Sequence, residues 1–502
     1  MSTQGQVVDA LSTDHLHADL KGRSVRGGLL TITSQGTQFV LTSISTIVLA
    51  RLLTPADFGL VAMVTAVTGL GQSFADFGLS EATIQRQEIT HEQVSTLFWI
   101  NVSIGLTLMM ITIALGPVFA WFYHEPRLRN IAIVASFIFL IGGLRVQHNA
   151  LLKRQMRFVS LAIRDVVSYA IAVPFAVTLA WKGAGYWAIV ALPLSFCFLQ
   201  MVITWLMVRW LPGLPRRGAK VGSMIAFGGN VAASYLVLAV NRSADSVLIG
   251  WYWGAHLLGL YSRAYNLLML PVRQLSVPAS SVAVPAFSRL QNDPERFARY
   301  YLRGANLMLW ITTPVFGFLF VSAHPVIILV LGHQWGEAAP VFQILVISAM
   351  AQLLLELNLW LFVGRGDSAR LLKLLLVISP IMIGSFALGL PFGIKGVALS
   401  GSLVLLVMLP WILQYTFRGS RLSLQRLGQA MLCPVALSLA GVLSAELALR
   451  VMAPHGIASQ LLISALAFAA AYALSALARP VREEAMSLRE LLNELRLSRQ
   501  TA

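Results

Sequence analysis

From Gly27 to Arg479 the chain repeats one pattern: an apolar run, a short polar connection, then another apolar run. The runs reach roughly 20 residues or more, the length a helix needs to cross a ~30 Å hydrocarbon layer. Segments that cannot reach water must satisfy their own backbone donors and acceptors, which a helix does internally. The pattern therefore predicts an all-α polytopic membrane protein with about 14 spans. Their centres fall near Gln38, Thr68, Leu106, Phe139, Ile171, Phe198, Leu238, Arg273, Trp310, Ala351, Ser379, Val404, Leu439 and Ala467.

Polar positions inside these spans carry the functional information, since each costs free energy unless it faces protein or water. In the first span Thr31, Gln35, Gln38, Thr42 and Ser45 recur at helical spacing and share a face. The second span aligns Thr65, Gly69, Gln72 and Asp76; the seventh, Asn230, Ser234, Asn241 and Asp245; the eighth, Arg263, Asn266 and Arg273. Packing through small and hydroxyl residues accounts for Ser34 or Thr42. It does not account for Arg242 and Arg273 near mid-span, where an unpaired charge costs at least ~3 kcal/mol. Arg242 has Asp245 one turn away, so an internal ion pair and a ligand role both stand. An excess of arginine over acid in a hydrated cleft suits an anion, because guanidinium grips phosphate oxygens in a two-pronged fashion. Intra-span acids are Asp76, Glu81, Asp245 and Glu356. Asp76, Glu356 or Asp245 could couple a proton or sodium ion, or stay neutral and hydrogen-bonded. Pro271, Pro278 and Pro285 along the eighth span predict a bend.

The chain also repeats itself at an offset of about 200 residues. Ile47-Val48-Leu49-Ala50 through Gly59-Leu60 aligns with Val247-Leu248-Ile249-Gly250 through Gly259-Leu260, and Ser45 with Asp245. Six spans per copy make a parallel repeat, the kind of architecture in which transporters place substrate between halves. The expected organisation is an N-terminal tail (1–24), a six-helix bundle (25–210), a second six-helix bundle (221–417), two further spans (428–479) and an amphipathic tail (480–502).

Composition narrows the classes. The 502 residues are 57% hydrophobic and only 12% charged, with a net charge of +16 and a mean hydropathy of +0.74. The basic residues collect on alternate connections, such as Arg216–Lys220, Arg289–Arg303 and Arg418–Arg426. That bias puts both termini in the cytoplasm and explains the charge without nucleic acid. Met1–Ser24 is too polar for an export signal. Cys197 and Cys433 both lie in apolar segments, which argues against a disulfide. No Gly-rich phosphate loop, HExxH or metal-spaced Cys/His set occurs, so neither a metal site nor nucleotide hydrolysis is expected.

Two stretches carry a family resemblance. Leu49-Ala50-Arg51-Leu52-Leu53-Thr54-Pro55-Ala56-Asp57-Phe58-Gly59-Leu60-Val61 resembles the end of the first span in bacterial polysaccharide exporters of the Wzx type. Tyr265-Asn266-Leu267-Leu268, Leu270-Pro271, Val284-Pro285-Ala286-Phe287-Ser288-Arg289-Leu290-Gln291 and Asp293-Pro294-Glu295-Arg296 resemble the eighth span and its loop in the colanic-acid-exporter-like branch. The resemblance implies the fold of the multidrug/oligosaccharidyl-lipid/polysaccharide (MOP) superfamily: two six-helix bundles in a V, helices 1, 2, 7 and 8 lining the cleft. The two additional C-terminal spans are similar to those of relatives that flip peptidoglycan precursors. It implies a non-enzymatic flippase of the bacterial inner membrane that moves undecaprenyl-pyrophosphate-linked oligosaccharide by alternating access. Membrane lipid surrounds such a protein, and a polysaccharide polymerase and chain-length regulator are its expected partners. On this reading Arg273, Arg242 and Arg263 hold the pyrophosphate, and Gln35, Gln38, Gln72, Asn230, Asn241 and Asn266 contact sugar or water. The alternatives are a MATE-like antiporter, which needs an acidic pocket, and a membrane-embedded polymerase, which needs a large outer loop; a non-transporting scaffold is also open.

Overall fold

The computed structural model describes residues 20–75, 79–86, 89–216, 222–291 and 293–475. The tail expected at 480–502, Asp76 and residues 1–19 of the N-terminal tail lie outside them. The described chain is helical, with no strand among the described residues. The first half contains α1 (Leu20–Leu52), α2 (Pro55–Ala75), a short α3 (Leu79–Gln85), α4 (His91–Phe122), α5 (Arg127–Arg154), α6 (Phe158–Trp181) and α7 (Tyr186–Val208). A long α8 (Gly222–Arg289) follows, then α9 (Pro294–Val321), a short α10 (Ala323–Leu331), α11 (Ala338–Arg365), α12 (Ser368–Gly389), α13 (Gly393–Phe417), α14 (Leu424–Met452) and α15 (Ile457–Ser475).

Every expected span centre falls within one of these helices, the seventh and eighth both within α8. Among the described residues nine helical segments are long and apolar enough to cross a membrane, one of them running through both α12 and α13. The chain is thus a multi-pass, all-α membrane protein. α1 and α8, the helices with polar stripes, are not among the nine, and α2 qualifies only as a shorter apolar helix, Pro55–Gly71.

Local chemistry sets the helix ends. Thr90 and Gln93 form a reciprocal capping box at the start of α4, with bonds of 3.2 and 3.1 Å. Asp293 caps α9 through the Arg296 amide at 3.0 Å, with Pro294 at the first helical position. The break inside α8 is at Gly254, with φ of 77°, a value that glycine adopts without a Cβ penalty. Among the described residues, none from there to Arg289 leaves helical dihedrals, so the three prolines are accommodated within the helix.

The chain divides into two compact units, Met1–Gly259 and Leu260–Ala502. In the first, α4 packs on α5, α1 on α6, α6 on α7 and α5 on α7. In the second, α14 packs on α15, α9 on α14, α12 on α13 and α11 on α13. Within the first unit the two copies of the sequence repeat meet through their matching glycines. A Cβ on Gly59 would collide with the Ala255 carbonyl, and one on Gly259 with the Pro55 carbonyl. Since 55 and 59 correspond to 255 and 259, this contact is reciprocal, as a local pseudo-twofold requires.

Candidate functional site

The sequence-derived site residues fall on both units. In the first unit Gln35 is exposed on α1, and Gln38, one turn on, is half-buried and donates to Asp165 Oδ2 at 3.4 Å. Asp245 is 8% exposed near the end of the first limb of α8, its Oδ1 accepting the Ser246 amide at 2.6 Å. Its repeat partner Ser45, 2% exposed, bonds the Thr42 carbonyl at 2.8 Å. The side chains of Gln72, Asn230, Asn241 and Arg242 lie outside the described residues. The Arg242–Asp245 pairing therefore stays an expectation.

In the second unit Arg263 is partly buried, whereas Asn266 and Arg273 are exposed on the same limb of α8. Asn266 folds back on its own helix, donating to the Ser262 carbonyl at 2.8 Å. Arg263 and Arg273 are ten residues apart, about 15 Å along the helix axis. One pyrophosphate cannot sit on both backbone positions at once, so they form two levels on the helix. Glu356 is partly buried on α11, two residues before Asn358, whose side-chain oxygen accepts from the Tyr301 hydroxyl at 3.4 Å. Glu81, read from sequence as an intra-span acid, is instead exposed on the short α3, accepting from Ser80 Oγ at 2.8 Å. The apolar run around it is interrupted, so the residue falls outside a long helix.

The structure also builds a polar centre that the sequence reading missed. Asp165 on α6 accepts from Gln200 of α7 at 2.7 Å, from Gln38 of α1, and from Arg164 Nε at 2.7 Å. Arg164 adds a 2.5 Å ion pair to the same oxygen and donates to Asn149 of α5 at 2.7 Å. Four helices thus converge on one carboxylate–guanidinium pair, with the Arg164 side chain only 8% exposed. The available signal was the adjacent Arg164-Asp165 inside an apolar run, a pair costly to bury unless matched.

A second assembly fixes the basic connection after α7. Trp210 is buried at 1% exposure and donates its indole N–H to His91 Nδ1 at 3.0 Å. Its carbonyl meets His148 Nε2 at 3.1 Å, and the His148 ring stacks on Trp205 at 4.3 Å. Further along, the Gly213 amide donates to Ser95 Oγ at 2.9 Å, and Trp99 donates to the Gly213 carbonyl at 2.9 Å. Arg216 pairs with Glu92. The connection is therefore strapped along the first three turns of α4. Among the described residues no group of His, Cys, Asp and Glu could hold a metal ion.

Comparison with known proteins places this architecture. The fold is that of a solved lipid II flippase: MurJ in an inward closed conformation superposes with a TM-score of 0.71, covering 89% of this chain and 99% of that one at 13% identity. The teichuronic acid biosynthesis protein TuaB of Bacillus subtilis is 27% identical over 60% of this chain and 63% of its own length. The lipopolysaccharide biosynthesis protein WzxC of Escherichia coli is 25% identical over 59% and 61% respectively. The chain thus spans a little under two thirds of the length of these relatives. Residues 48–340, more than half of the chain, match the profile of the polysaccharide biosynthesis proteins, and it is to that family that this chain belongs.

Proposed function

We propose that this chain is an inner-membrane flippase that moves an undecaprenyl-pyrophosphate-linked oligosaccharide from the cytoplasmic to the outer leaflet. The observation that carries the reading is the family match over residues 48–340 on a chain whose fold, over 89% of its length, is like that of a lipid II flippase. Two sets of polar side chains handle the substrate in this proposal. Arg263 and Arg273, together with Arg242, attract the pyrophosphate at successive depths; Asn266 and Gln35, with Gln38, Gln72, Asn230 and Asn241, meet sugar hydroxyls or water. The polyprenyl tail stays in lipid, where burying its methylenes needs no protein. Opening to one side or the other follows substrate affinity, because only a difference in affinity between two states shifts their balance. Asp245, Glu356 or Asp76 would carry a coupling proton or sodium ion. Both termini lie in the cytoplasm, in keeping with the basic connections. The product then passes to a polymerase and chain-length regulator.

Arg273→Ala at normal expression is expected to cut polysaccharide export by at least about tenfold, the loss of one charge-assisted phosphate contact. Export at the wild-type level would remove the pyrophosphate assignment. Efflux of cationic dyes by the purified protein would instead favour the antiporter reading.

A further inference from the structure

The connection after α7 lies at a depth that α4 itself measures. Trp99 and Trp121, 39% and 75% exposed, stand near the two ends of α4. At 1.5 Å per residue they are about 33 Å apart along the helix, close to the ~30 Å of a hydrocarbon layer. Residues 100–120 between them hold no charged side chain. Tryptophan gathers at both membrane–water boundaries, where its ring meets lipid and its N–H a polar partner. The pair therefore marks the two edges of the hydrocarbon on α4.

At one edge the Trp99 indole donates to the Gly213 carbonyl at 2.9 Å, which sets the depth of the connection there. The Gly213 amide donates to Ser95 Oγ at 2.9 Å. By Arg216 the chain has turned back toward the start of α4, with its amide on Thr96 Oγ1 at 3.3 Å and its guanidinium on Glu92. Gly213 is thus the turning point of the connection, on the membrane side of Arg216. Leu211 and Leu214 flank it, 66% and 83% exposed. Trp210, packed against His91 and Phe98, holds the near side in place. Pro212 and Pro215 stiffen the turn by fixing their own φ. A single exposed leucine is ordinary on a protein surface. Two on a pinned turn, directed away from the bundle at the hydrocarbon edge, call for an apolar medium.

We infer that residues 209–216 form a membrane-surface anchor, in which Leu211 and Leu214 enter the acyl edge of the adjoining leaflet beside Trp99. The occupant of this surface is lipid. Two leucines on one turn are far smaller than the ~800 Å² per partner of a stable protein interface, whereas lipid chains cover apolar groups of any shape. The anchor requires only the membrane-spanning class of the chain, so it stands or falls apart from the transport reading.

The test uses the full chain in nanodiscs of phosphatidylcholine and phosphatidylglycerol, with Cys197→Ala and Cys433→Ala as background. Leu211→Cys and Leu214→Cys are each labelled with a nitroxide, and power saturation compares collision with oxygen, which enters lipid, and with a water-soluble nickel chelate. Met110→Cys, midway along α4, is the lipid reference, and Arg418→Cys, on an exposed connection, is the water reference. The oxygen-to-nickel ratio at both leucine positions should exceed the Arg418 value by at least about threefold, in the direction of Met110. A ratio equal to that at Arg418 would make the turn a loop in water and overturn the anchor. Poor collision with both reagents would mean that protein covers the leucines, and would overturn it as well.

Discussion

Asp165 draws donors from three helices onto one carboxylate: Gln38, Gln200 and Arg164. Removing its charge strands a guanidinium that is 8% exposed. Breaking a buried pair by deleting one partner costs about 3–5 kcal/mol. Because the Asp165 side chain keeps 21% exposure, Asp165→Asn should fall at the low end, about 3 kcal/mol. Thermal unfolding in detergent measures it, and adding Arg164→Gln should recover most of the loss. An unchanged midpoint in the single variant would mean the pair does not hold the bundle. In the turn between α4 and α5, Glu125 takes a two-pronged bond from Arg127 at 2.8 and 2.9 Å. That bond holds its carboxyl below the ordinary value of 4.5. A depressed folded-state pKa contributes stability above the unfolded value and loses it as pH falls through the folded one. The melting-temperature advantage of the native chain over Glu125→Gln should therefore be constant above about pH 5 and shrink below 4.5. An advantage that persisted unchanged into strong acid would contradict the assignment.

Between elements, the crossing of the two repeat segments depends on having no side chain at Gly59 and Gly259. A methyl at Gly59 meets a backbone carbonyl, which cannot rotate aside, so the segments must separate. Gly59→Ala should cost about 1–3 kcal/mol, in the range of overpacked cores. Gly36, on the exposed part of α1, has nothing within 4 Å of the same added atom. Gly36→Ala should be neutral or gain up to about 1 kcal/mol of helix propensity. Equal melting temperatures for the two variants would show that the crossing is not tight. The duplicated Gly-Leu was visible in sequence, and so was its offset. That the copies meet through those glycines was not, because a periodic pattern carries no information on which helices touch. Asp165 illustrates the same limit: a residue read along its own span acquires meaning only when Gln38 and Gln200 arrive from other helices.

For the molecule as a whole, charge distribution across the connections sets the orientation in the membrane. With the native cysteines replaced, a membrane-impermeant maleimide should label Lys182→Cys in intact cells. It should label Arg418→Cys only after permeabilisation. The reverse pattern would invert the topology and move every basic connection outside. The sequence alone determined the all-helical, membrane-spanning class and the helices on which the expected centres fall. These follow from local terms: hydrocarbon thickness, the internal hydrogen bonding of a helix, and the cost of charge in lipid. Only the tertiary structure decided that Arg164 and Asp165 draw in α1, α5 and α7. It likewise decided that Trp210 straps the basic connection to α4. Each of these joins residues distant in the chain or sets the shape between elements, and such contacts follow from packing, which hydropathy and spacing do not encode.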